Sequence, residues 1–183
     1  PSQYVLPWTL RDGTSVLIRP IRPEDEPWLA KFHETLSERS VYFRYFHPMR
    51  LNVRVAHERL TRMCFIDYSR EMALVADCAD AGSGAHQILA VGRLIRLHDG
   101  KSGEFAVVVG DRWQRQGLGR ELLRRLVEIG REEGLGRIVA DILPDNREML
   151  RSCAKLGFTC QYAADAGVFV AASDYLKVLP ESI

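Results

Sequence analysis

The chain has 183 residues, 46% of them hydrophobic, with 25 Lys and Arg against 24 Asp and Glu for a formal charge of +1. That supplies the core of one domain and is short for two. The near-neutral balance lacks the basic footprint of a nucleic-acid binder, no apolar run reaches the roughly 18–20 residues that span a bilayer, and the apolar content excludes a disordered chain.

Residues 4–10 and 14–19 are β-prone runs on either side of Arg11-Asp12-Gly13, which supplies the positive-φ positions of a tight turn, so a hairpin is expected. Pro20 and Pro23 close the second strand. Pro23-Glu24-Asp25-Glu26 sets acidic residues at a helix start, where they complement its dipole, and Trp28, Leu29, Phe32 and Leu36 form its apolar face. Ser37 is an N-cap for a short aromatic helix through Tyr42, Phe43 and Phe46 that Pro48 stops. Asn52 is expected to cap a helix running to about Met63, with Val55, Leu60 and Met63 inward. Residues 71–76 and 87–97 are β-rich about the turn Asp80-Ala81-Gly82-Ser83-Gly84, and residues 104–109 make a third strand.

Residues 120–133 form an amphipathic helix with Leu122, Leu123, Leu126, Val127 and Ile129 on one side and the i,i+4 pair Glu121/Arg125 on the other. Residues 138–143 are a strand, 146–156 a helix ended by Gly157, and 158–162 and 168–172 two further strands. With no internal repeat or low-complexity linker, residues 1–183 read as a single α/β domain. A start at Pro1 is expected of a segment cut from a longer chain, or of end processing. Cys64, Cys78, Cys153 and Cys160 have neither C-x-x-C nor zinc-site spacing, so they read as free thiols of a reducing cytoplasm, with no metal site and no signal peptide expected.

The segment richest in chemistry is Gln114-Arg115-Gln116-Gly117-Leu118-Gly119-Arg120, between a Val-rich strand and an amphipathic helix. Its glycines let backbone N–H groups converge, and the helix start adds partial positive charge, which suits a diphosphate. A plain strand-to-helix turn is the other reading of a lone G-x-G. A P-loop needs Lys-Ser/Thr where Arg120-Glu121 stands, and a dinucleotide fingerprint needs a small residue at Leu122.

Gln-x-x-Gly-x-Gly after a hydrophobic strand, followed by Asn146 and then Lys155-Leu156-Gly157-Phe158, resembles the GNAT superfamily of acetyl-CoA-dependent N-acetyltransferases. The resemblance implies a mixed, mostly antiparallel sheet flanked by helices, here with an N-terminal β-hairpin. It implies acetyl-CoA as cosubstrate, with Gln114, Arg115, Gln116, Gly117, Leu118, Gly119 and Arg120 around its diphosphate and Val107, Val109 and Asn146 along the pantetheine arm. Leu10-Arg11-Asp12-Gly13-Thr14, the stretch 18–26, Tyr42-Phe43-Arg44-Tyr45-Phe46 and the stretch 67–73 look like the acetyltransferase domain of bacterial protein lysine acetyltransferases. Those are often fused to an ADP-forming acyl-CoA-synthetase-like region, and their described substrates include AMP-forming acetyl-CoA synthetase.

An attacking amine must be neutral, and a lysine has a pKa of about 10.4 in water, so a general base is required. Glu104 opens the strand that leads to the loop, and burial beside Phe105 and the Val run is expected to raise its pKa. The resemblance assigns it the base role. Glu71, at the start of another strand, is the reserve. Many relatives place a Tyr, the general acid, five residues before the Phe of the Gly-Phe pair. Here Cys153 stands there, which leaves the acid open. None of His33, His57 and His98 has a triad arrangement around it, and residues 42–46 read either as core or as the wall of an acceptor pocket. Three functions share the loop: protein-lysine acetylation, acetylation of a small amine, and non-catalytic acyl-CoA sensing. Glu104 argues against the last.

Overall fold

The turn at Arg11-Asp12-Gly13 joins β1 (Leu6–Thr9) to β2 (Ser15–Pro20) in register, with Leu6 opposite Ile18 and Thr9 opposite Ser15, as the run pattern requires. In the computed structural model, which describes residues 1–174, six further strands follow. They are β3 (Glu71–Ala79), β4 (His86–Arg96), β5 (Ser102–Val109), β6 (Arg137–Ile142), β7 (Thr159–Ala163) and β8 (Val168–Asp174). The sheet runs β1-β2-β3-β4-β5-β6-β8-β7. Every pairing is antiparallel except β5 with β6.

Helices cover both faces, and this is why β3 reads as an unbroken apolar run. Met72, Leu74 and Ala76 point to a core shared with α5 (Leu118–Glu132), where Leu122, Leu123 and Leu126 are fully buried. Ala73 and Val75 alternate to a second core under α1 (Glu26–Glu34), α2 (Glu38–Tyr45), α3 (Leu51–Arg54) and α4 (His57–Cys64), with Leu29, Phe32 and Leu60. α6 (Arg147–Lys155) packs beside α5. Among the described residues no helix is long and apolar enough to cross a membrane.

Three local expectations change. The helix expected from Asn52 to Met63 is broken at Val55 and Ala56, and Asn52 lies inside α3 and caps nothing. On one continuous helix Arg54 would stand about 120° round from Leu60. The break lets both be buried, with Arg54 Nη1 donating to the His33 carbonyl at 2.7 Å and Nε to that of Met49 at 3.0 Å. Asp25, read as dipole compensation, is a buried partner of Arg19, which grips it with two 2.7 Å hydrogen bonds. Burial alone would raise its pKa, but Arg19 and the Arg22 N–H outweigh burial and hold the carboxyl below the usual range. The Glu121/Arg125 pair forms, with Nε to Oε1 at 2.9 Å, but it is not a solvated face. Arg125 is buried and donates to the carbonyls of Leu6 and Pro7 at 3.2 and 3.4 Å, tying β1 to α5.

Candidate active site

β5 and β6 pair only from Ser102 opposite Arg137 to Glu104 opposite Val139, and then part. The Leu97 N–H donates to the Ser102 carbonyl and the Gly110 N–H to the Leu89 carbonyl, both at 2.8 Å, so even-numbered residues of β5 bond β4. By antiparallel alternation Val107 and Val109 aim their N–H and C=O groups into the fork. The Val109 carbonyl accepts from Gln114 Nε2 at 3.1 Å, and the same nitrogen donates to Ser40 Oγ at 3.1 Å. Gln114 thus braces the strand end against α2 with its side chain.

Past a short 3-10 turn at Asp111–Trp113, Arg115 takes φ 62° and Gly117 φ 85°, and α5 starts at Leu118 with no side chain capping it. The N–H groups of Leu118, Gly119 and Arg120 therefore have no intrahelical partner. A Cβ on Gly117 would stand 3.3 Å from the Trp8 ring, and one on Gly119 would stand 3.3 Å from Val109 Cγ2. Glycine at both places lets the helix start press against β5 and the hairpin. The Gln116 carbonyl and Oε1 accept from the N–H groups of Arg11 and Asp12 at 3.4 and 3.1 Å, which turns Gln116 to the hairpin and away from the cavity. Leu118 is core, so only its backbone faces the loop. Arg115 Nε donates to Glu148 Oε1 at 2.7 Å.

A cavity of about 950 Å³ fills the fork, lined by Val107, Val109, Gln114, Gly117, Gly119 and Arg120 among others. Asn146 also lines it while its Oδ1 caps α6 at the Met149 N–H, 3.3 Å away, leaving its amide N–H groups to the cavity. The lining has seven arginines against three carboxylates, so anion binding is met locally in a chain with almost no net charge. Arg11, Arg39, Arg44, Arg147 and Arg151 belong to it without having been singled out from sequence, and Phe43 settles part of the aromatic stretch as cavity wall. None of the five histidines lines it.

Glu104, Ile95 and Glu71 stand in one row across β5, β4 and β3, on the face that Val108 presents to the second core. Phe105 points the opposite way, stacking edge-on with Phe158 at 5.5 Å, so it does not bury Glu104. Glu104 is exposed, correcting the expectation of a desolvated carboxyl, and it has no hydrogen bond or ion pair among the described residues. Its charge still reaches the cavity. Burial, with repulsion from Arg93 and Arg59, pulls the Arg44 pKa below its usual value, while Tyr45 and Glu104 oppose that shift. Glu71 lies two strands from Glu104, about 10 Å. It is held by buried Arg93, whose Nη1 donates to it at 2.5 Å and whose Nη2 donates to the Met63 carbonyl at 2.9 Å. Ala73 and Ala106 flank Arg93 in the sheet and leave room for it.

A sequence model of the acetyltransferase (GNAT) domain matches residues 15–159. An acetyltransferase of Pseudomonas aeruginosa is 30% identical over 157 residues, covering 86% of this chain and 82% of its own length. The chain belongs to the GNAT acetyltransferase family. The GNAT domain of Streptomyces lividans PAT, a crystal structure, superposes with TM-score 0.82 at 27% identity, covering 95% of this chain and 98% of that one. The acetyltransferase Pat of Mycolicibacterium smegmatis is 28% identical over 153 residues, covering 83% of this chain, which spans 44% of that relative's length.

As a GNAT acetyltransferase the chain uses acetyl-CoA as cosubstrate, and the fork fits it. The uncapped start of α5 offers N–H donors to phosphate, Arg120 Nε is buried with no hydrogen-bond partner among the described residues, and the lining is cationic. Cys153, at the position where many GNAT enzymes carry Tyr, is fully buried in the α5 core, and burial pushes its thiol up to about 12. A thiol that weakly acidic is a poor proton donor to a thiolate with a pKa of about 8.5. Cys153→Ala therefore keeps turnover near wild type in steady-state assays and lowers unfolding free energy by about 1 kcal/mol, the scale of a small core cavity. A collapse of kcat with stability unchanged would make Cys153 the acid after all.

Proposed function

We propose that this chain transfers the acetyl group of acetyl-CoA to the ε-amine of a protein lysine by direct attack, in a reducing cytoplasm, and that AMP-forming acetyl-CoA synthetase is a substrate it regulates. The observation that carries the reading is the fork, where one strand turns the N–H and C=O of Val107 and the N–H of Val109 toward the gap and carries an exposed carboxylate at Glu104. A lysine on a protein surface can reach a carboxylate that is exposed to solvent. Support for a protein acceptor comes from the likeness to the PAT domain over nearly the whole chain and from the four sequence stretches that resemble protein lysine acetyltransferases.

In this mechanism Glu104 takes a proton from the lysine ammonium, directly or through water, and the neutral nitrogen attacks the thioester carbon. The N–H of Val107 or Val109 donates to the carbonyl oxygen as it gains charge, since the Val108 N–H is committed to β4. The C–N bond forms, the nitrogen gives up its second proton to water, the C–S bond breaks, and the departing thiolate takes a proton back from water. The loop and Asn146 hold the cosubstrate through these steps.

The test is peptide mass spectrometry after incubating the chain and acetyl-CoA with purified AMP-forming acetyl-CoA synthetase. The expected result is acetylation of one lysine and a fall in synthetase activity. Unmodified synthetase beside rapid acetylation of polyamines or amino acids would move the acceptor to a small molecule.

A further inference from the structure

The hairpin turn brings a guanidinium to the cosubstrate cavity from outside the stretch that matches the family, which begins at residue 15. Arg11 Nε stands 3.9 Å from where a Cβ of Gly117 would be, beside the uncapped start of α5. Its Nη1 reaches the Arg115 carbonyl only at 3.5 Å, the long limit of a hydrogen bond, and Arg11 has no ion pair among the described residues. The neighbouring carboxylate does not neutralise it, because Asp12 Oδ1 turns back to the Thr14 N–H at 2.9 Å. Arg115, by contrast, is paired with Glu148.

The turn is fastened at several points. Trp8 lies against Gly117, Arg125 holds the carbonyls of Leu6 and Pro7, the Asp12 N–H donates to Gln116 Oε1, and Tyr4 donates to Glu132 at 3.2 Å. These contacts fix the Arg11 backbone relative to the loop before any ligand arrives, which reduces the ordering that binding must impose. We propose that Arg11 binds a phosphate of acetyl-CoA, so that the added hairpin forms a phosphate-side wall of the cavity. A planar guanidinium grips two phosphate oxygens at once, which an ammonium at the same place cannot do.

Calorimetric titration of the full chain with CoA tests this and needs no acceptor, so failure of the lysine reading leaves it untouched. Arg11→Ala weakens CoA binding by about tenfold or more, the scale of one charge-assisted contact, and Arg11→Lys falls between. Dephospho-CoA assigns the phosphate. An equal loss there puts Arg11 on the diphosphate, and a vanished loss puts it on the ribose 3′-phosphate; either outcome upholds the proposal. Wild-type CoA affinity in Arg11→Ala overturns it. So does a loss that Arg11→Lys does not relieve while both melting temperatures fall, since Arg11 would then serve only to hold the turn.

Discussion

Gly117→Glu loses at least about a hundredfold in acetyl-CoA affinity by calorimetry while the protein remains folded. Three effects act together. Gly117 sits at φ 85°, and a side-chain-bearing residue there costs roughly 1–2 kcal/mol. Its Cβ would press on the Trp8 ring at 3.3 Å, so either the hairpin or the loop must shift. The new carboxylate would also occupy the N–H groups of α5 and repel the phosphates they serve. Loss of about 3 kcal/mol is a factor of more than a hundred. The charge at a helix N-terminus favours the helix itself, which keeps the fold intact. Gly117→Ala separates the terms, since it carries the backbone strain without the charge and loses much less. Normal affinity in Gly117→Glu would mean that the loop does not hold the phosphates.

Glu104→Gln lowers kcat by about a hundredfold or more with acetyl-CoA affinity unchanged, the signature of a lost general base. The amide keeps the size of the side chain and cannot take the proton. No other described residue is bonded to Glu104, so the substitution strands no partner among them and stability stays close to wild type. Glu71 behaves differently. Neutralising it removes the carboxylate that pairs buried Arg93, and the cost falls on folding. Unchanged turnover in Glu104→Gln would return the base role to Glu71 or to water.

What the sequence reveals here is mostly local chemistry. Ser37 caps α2 because a short hydroxyl side chain before a helix has one good use, accepting the Ser40 N–H at 3.1 Å. Asn146 before α6 and the two glycines of the loop are legible for the same reason. The alternation that sets Glu104 and Phe105 on opposite faces is also in the sequence, since neighbours on a strand cannot share a face. Helices on both faces hide which side is covered, because Phe105 and Val108 are both apolar and enter different cores. The break between α3 and α4 depends on Arg54 meeting a carbonyl 21 residues earlier. Asp25 reads as a helix-start acid until Arg19, which the sheet also pairs with Asp77, closes on it. Arg11 lies more than a hundred residues from the loop it touches, and no spacing rule connects them.

A crystal structure of the chain with CoA tests most directly whether the fork holds the cosubstrate beside Glu104. The phosphates are expected against the N–H groups that open α5, the pantetheine arm along Val107 and Val109 in the fork between β5 and β6, and the sulfur on the side where Glu104 stands. CoA seated outside that fork, or a sulfur too far for a lysine bound at the thioester to pass its proton to Glu104 even through one water, would contradict that placement.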